Sequence, residues 1–110
     1  MANNIKAFIY PAKDAESAKK FMATFLGVEP YVDSPYYVGY RVGDLEIGLD
    51  PNSETGPIGY IDVDDIKASV EAMTGAGAEI VQEPKDVANG LLIAKVKDAN
   101  GNIVGFRQQT

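Results

Sequence analysis

At 110 residues the chain is long enough for one domain with a modest core. A net charge of −6 argues against nucleic acid, because phosphate binding needs clustered Lys and Arg, and mildly favours cationic ligands. With no cysteine and no histidine, disulfides, thiolate nucleophiles, Ser-His-Asp triads and the commonest ligands for zinc, nickel or iron are all excluded.

Ile5 to Tyr10 is an apolar run with β-branched and aromatic residues, which predicts a strand ended by Pro11. Asp14 is placed to cap a helix, with Glu16 in its first turn. Ala18, Phe21, Met22, Phe25 and Leu26 then recur at helical spacing as one apolar face, and Gly27 closes the helix. A short strand is expected near residues 28–32. Residues 36–42 and 45–49 read as a hairpin around Gly43-Asp44, and residues 51–57 as a loop.

The pattern then recurs. Ile58 to Val63 predicts a strand, and Asp64 or Asp65 caps a helix with Ile66, Val70 and Met73 on its apolar face. Gly75 and Gly77 end that helix, so their Gly-x-Gly is a terminator and not a phosphate loop. Residues 78–82 predict a short strand. Residues 90–96 and 102–108 predict a second hairpin, turned by Asp98, Asn100 and Gly101. The order strand, helix, three strands thus occurs twice, within one domain spanning 1–110 with modules of about 1–52 and 57–110. Periodicity predicts an α+β protein of two similar halves. Apolar runs of only a few residues predict no membrane span. The opening Met1-Ala2-Asn3-Asn4 has no secretory character, so a cytoplasmic protein is expected.

The terminal segment Asp98-Ala99-Asn100-Gly101-Asn102-Ile103-Val104-Gly105-Phe106 resembles the D-x-x-G-N-x-x-E-[LF] segment of the vicinal oxygen chelate superfamily of glyoxalases, bleomycin-resistance proteins and extradiol dioxygenases. Lys13-Asp14, Asp64-Asp65 and Leu26-Gly27-Val28 add local matches, and the resemblance covers nearly the whole chain. It implies two βαβββ modules forming a cupped, mixed eight-stranded sheet with helices on its outer face. It also implies a ligand pocket in the cup and a homodimer.

The resemblance implies four metal-ligand positions. Two lie on the opening strands, seven residues before each helix-starting aspartate, at Ala7 and Ile58. Two lie on the last strands, at Gly48 and at Gly105, where the family segment carries its glutamate. None of these side chains has a donor atom, and a register slip by one residue would turn its neighbours out of the cup. We therefore expect no metal and no cofactor at that site.

Alternation names what shares the pocket face. Glu46 and Asp50 flank Gly48; Tyr60 and Asp62 follow Ile58; Ile103 and Arg107 flank Gly105; Ile5 and Ile9 flank Ala7. Tyr40 is a further candidate from the tyrosine-rich first hairpin, which also holds Tyr31, Tyr36 and Tyr37. The expected ligand-binding set is Glu46, Gly48, Asp50, Tyr40, Tyr60, Asp62, Gly105 and Arg107, with no catalytic residue assigned. Arg41 and Arg107, the only arginines, could each anchor an anion or make an ion pair. Phe8, Phe21, Phe25 and Phe106 are expected in the core.

Three readings follow. The first is a metal-free small-molecule binder of the bleomycin-resistance type. The second is a glyoxalase-, isomerase- or dioxygenase-like enzyme using Glu46, Asp50 or Asp62 as a non-standard carboxylate site. The third is an interaction subunit whose cups are filled by its own side chains. They rank in that order.

Overall fold

The computed structural model describes residues 3–110. The elements follow the duplicated order. The first module has β1 (Ile5–Pro11), α1 (Ala15–Leu26), β2 (Val32–Asp33), β3 (Val38–Val42) and β4 (Leu45–Asp50). The second has β5 (Ile58–Asp62), α2 (Ile66–Gly75), β6 (Glu79–Ala88), β7 (Leu91–Lys97) and β8 (Ile103–Gln109). The contacts fall into two compact units, one of Lys6–Ile58 and one of Gly59–Thr110 together with the start of β1 at Ile5.

Each unit repeats one topology. In the first, the strand order is β2-β3-β4-β1, with β1 parallel to β4 and the other pairs antiparallel. In the second it is β6-β7-β8-β5, with β5 parallel to β8. The opening strand pairs with the last because the intervening helix supplies the crossover that a parallel pair requires. The fold class is therefore α+β with mixed strands, as the sequence predicts.

Both helices start where the aspartates place them. The Asp14 carboxylate accepts from the Ser17 N–H at 3.2 Å, and the Asp65 carboxylate from the Ala68 N–H at 3.1 Å. Gly27 closes α1 in the left-handed region, at φ 73°.

Each helix packs on one face of its own strands. Met22 of α1, with Ala18, Ala23 and Leu26, packs on Val38, Tyr40, Ile47 and Leu49. Ile66 and Val70 of α2 pack on Ala94, Val96 and Phe106. Phe8 and Phe106 join these clusters as expected. Phe21 and Phe25 do not: they are 67% and 75% exposed. The apolar positions of α1 span too wide an arc for one flat face. Met22 and Leu26 point inward, and the phenylalanines one position earlier point away.

Two strands differ from expectation. β2 is only two residues long and starts at Val32, because Pro30 lies in the preceding segment and supplies no N–H for a ladder. β6 continues to Ala88, well past Gln82, despite Pro84. It lies at the end of its unit's strand order, where a proline is tolerated, and its register shifts between Gln82 and Lys85. Among the described residues, no helix is long and apolar enough to cross a membrane.

Candidate functional site

With one face of each unit covered by its helix, the other face carries the candidate residues. In the first unit, strand pairing builds two rows across that face. Arg41 of β3, Glu46 of β4 and Ala7 of β1 form one row, since Arg41 pairs with Glu46 and Glu46 with Ala7. Val32, Gly39, Gly48 and Ile9 form the next.

The paired glycines of the second row leave a strip of bare backbone, and tyrosine rings cover it. A Cβ at Gly39 would lie 2.9 Å from both the Tyr31 and the Tyr37 rings. A Cβ at Gly48 would lie 2.6 Å from Tyr37 Cε1 and from Ile9 Cδ1. Real Cβ atoms do not approach this closely, so the rings take the space that the glycines vacate. Ser34 sets up Tyr37 by accepting from the N–H groups of Tyr36 and Tyr37, at 3.2 and 3.1 Å.

The polar ends converge on Glu46. The Tyr37 hydroxyl donates to its carboxylate. The Arg41 guanidinium lies 3.8 Å from the same carboxylate and 4.3 Å from the centre of the Tyr31 ring. Burial raises the pKa of the Tyr31 phenol, opposed by Arg41 and reinforced by Glu46, so it stays a neutral hydroxyl at physiological pH. The Asp50 side chain accepts from the Asn52 N–H at 2.8 Å and shapes the turn after β4.

The second unit repeats the plan with other residues. Tyr60 of β5 pairs with Gly105 of β8, and Gly105 with Lys95 of β7. Tyr60 is 4% exposed, and its ring covers Gly105. In the next row, Arg107 lies between Asp62 and Ile93, and its Nε donates to the Asp62 carboxylate at 2.8 Å.

The structure thus places Glu46, Gly48 and Asp50 on the helix-free face of the first unit, and Tyr60, Asp62, Gly105 and Arg107 on that of the second. Tyr40 is a correction. It pairs with Ile47, on the helix side of β3, is fully buried, and donates its hydroxyl to the Lys19 carbonyl at 3.0 Å. It belongs to the α1 core.

Sequence reasoning left out Tyr31, Tyr37, Gly39 and Lys95 as members of these faces. Lys95 was legible, since it alternates with the buried Ala94 and Val96. Tyr31 and Tyr37 fall just outside β2 and β3, although the expected strands near residues 28–32 and over 36–42 include them, and Tyr37 alternates with Gly39 and Arg41. An open depression of about 710 Å³ lies beside α1, with Asp14, Glu29, Asp33 and, of the expected ligand-binding set, Tyr40 in its wall. Lys19 in that wall is tied to Glu16 at 3.0 Å and to Asp33 at 3.3 Å.

None of the four implied ligand positions fits a metal, since Ala7, Gly48, Ile58 and Gly105 offer no side-chain donor. Among the described residues, no three acidic side chains gather to hold a metal ion elsewhere.

Comparison with known proteins gives the same assignment as the topology. Residues 4–106 match the family model of the Glyoxalase/Bleomycin resistance protein/Dioxygenase superfamily. Among solved structures, a hypothetical protein from Bacillus halodurans is similar at a TM-score of 0.77 and 18% identity, covering 100% of this chain and 96% of that one. Methylmalonyl-CoA epimerase from Streptomyces coelicolor, with 2-nitronate-propionyl-CoA bound, is similar at 0.72 and 12% identity, covering 100% and 99%. The Mn(II)-bound glyoxalase from Novosphingobium aromaticivorans is similar at 0.73 and 16% identity, covering 97% of this chain and 39% of that one. At these identities the likeness is one of fold. No curated protein matches the sequence.

Proposed function

The chain belongs to the Glyoxalase/Bleomycin resistance protein/Dioxygenase superfamily, and we propose that within it this protein is a metal-free small-molecule binder. Its ligand lies against the helix-free face of a unit's strands. One observation carries the reading: where the family's metal ligands are implied, the chain has Ala7, Gly48, Ile58 and Gly105, and tyrosine rings cover the two glycines. In each unit by itself, a tyrosine ring lies over the glycine where a ligating side chain would stand, with a carboxylate and a guanidinium nearby. Apolar surface with a few convergent polar groups is what a small-molecule site needs. The proposal includes a homodimer, supported by the family's habit, in the cytoplasm.

The enzyme alternative rests on Glu46. Its side chain is 17% exposed, is in contact with the Tyr37 hydroxyl, and lies beside Arg41, an arrangement that could move a proton without a metal.

Native mass spectrometry, with and without manganese, nickel, zinc and iron, tests the proposal. The expected result is an apo dimer unchanged by all four, followed by ligand binding that Tyr37→Ala or Tyr60→Ala weakens. One tightly held metal per subunit would overturn it.

A further inference from the structure

The polar group on the first unit brings two tyrosines, a carboxylate and a guanidinium together. Tyr31 is held by its N–H, which donates to the Gly39 carbonyl at 2.9 Å. Glu46 is held by Tyr37 and is mostly shielded from solvent. Arg41 is different: 61% of its side chain is exposed, and it stands at the outer limit of ion pairing with Glu46, at 3.8 Å. Its guanidinium nevertheless sits over the Tyr31 ring, at 4.3 Å, with a carboxylate beside it. An aromatic face plus an adjacent carboxylate is the chemistry that recognises an organic cation.

We infer that the Tyr31–Tyr37–Glu46 group is a binding site for organic cations, and that Arg41 is its resident occupant, a tethered guanidinium that a ligand cation displaces. The inference rests on the small-molecule reading above and gives its ligand a charge. Three observations support that sign. With Arg41 swung out, the remaining charged side chains on this face of β3 and β4 are Glu46 and Asp50. The protein carries a net charge of −6, which raises the local concentration of cations. The ring over which Arg41 sits lies against Gly39, to whose carbonyl the Tyr31 N–H also donates, and neither contact involves the arginine. Displacing Arg41 gives up its contacts with the Tyr31 ring and hydroxyl and a long ion pair with Glu46, all of which an incoming cation can remake.

The test uses the full chain and two probes of similar size and opposite charge, benzyltrimethylammonium and phenylacetate, titrated by calorimetry. Arg41→Ala is expected to bind benzyltrimethylammonium about tenfold more tightly than the parent, because the competing cation is gone. Adding Glu46→Gln to Arg41→Ala is expected to reverse that gain, and phenylacetate is expected to show none. Circular dichroism of each variant confirms that it is folded. Equal gains for both probes would mean that removing Arg41 merely opens space, and the cation assignment falls. Phenylacetate binding that Arg41→Ala abolishes would make Arg41 an anion anchor and overturn it too. If a neutral ligand shifts the signals of Tyr37 or of Tyr60 while the cation binds no variant, the small-molecule reading stands and this one fails. If no ligand binds at all, both fail.

Discussion

Tyr60 and Gly105 are directly paired across β5 and β8, and the tyrosine ring occupies the space that a side chain at 105 would need. A Cβ there would come within 2.9 Å of the ring Cζ and nearer still to two other ring carbons. The glycine is therefore a packing partner as well as a missing ligand. Gly105→Ala is expected to destabilise the protein by about 1–3 kcal/mol through overpacking. In a Tyr60→Ala background, the same substitution is expected to cost much less. Urea denaturation of the four proteins measures the coupling. Additive effects would mean that the ring moves aside freely.

Tyr40 separates packing from binding. Its hydroxyl bonds to the Lys19 carbonyl behind the strands, so Tyr40→Phe is expected to cost about 1 kcal/mol of stability. Ligand affinity should not change. Calorimetric binding beside a denaturation curve checks both halves. A loss of affinity at unchanged stability would return Tyr40 to the binding set.

On α1, the inward and outward positions should respond oppositely. Met22→Ala is expected to cost about 2–5 kcal/mol, since Met22 is the buried residue of the helix. Phe21→Lys and Phe25→Lys are expected to stay within about 0.5 kcal/mol. Denaturation midpoints decide this. Native mass spectra of the two Lys variants show in addition whether this exposed pair helps join two copies.

The β7–β8 turn gives a pH signature. Asp98 has its pKa lowered, first by the Asn102 N–H, then by the Asn102 side chain and the N–H of Asn100. A group whose folded pKa is depressed stabilises the fold above its unfolded pKa of about 3.9, and that contribution is lost as pH falls through the folded value. Asp98→Asn should therefore lower the melting temperature at neutral pH. The gap to the parent should shrink as pH falls below about 4. A gap independent of pH would assign the loss to turn geometry instead of charge.

Most of the fold was legible because its signals are local. Asp14 and Asp65 are helix starts because a carboxylate there can reach free N–H groups two or three residues on. The turn at Asp98 to Gly101 is written in residues that bond their own backbone or accept positive φ, as Gly101 does at 84°. Alternation placed Glu46, Gly48, Tyr60, Gly105 and Arg107 on the right faces, because strand periodicity leaves no other choice. Helical periodicity is less decisive. It grouped Phe21 and Phe25 with Met22, and only the docking of α1 on Val38, Ile47 and Leu49 decided which of them is buried.

Composition alone decided that no histidine or cysteine does chemistry here, and the residues at 7, 48, 58 and 105 decided that the implied ligand positions have no donors. The tertiary structure decided what fills them. Gly39 meets Gly48, Tyr31 meets Arg41 and Tyr37 meets Glu46 through strand register and through loop segments whose course no periodic pattern encodes. Side chains brought together by long-range pairing have no signature along the chain, because each alone satisfies its local environment equally well elsewhere.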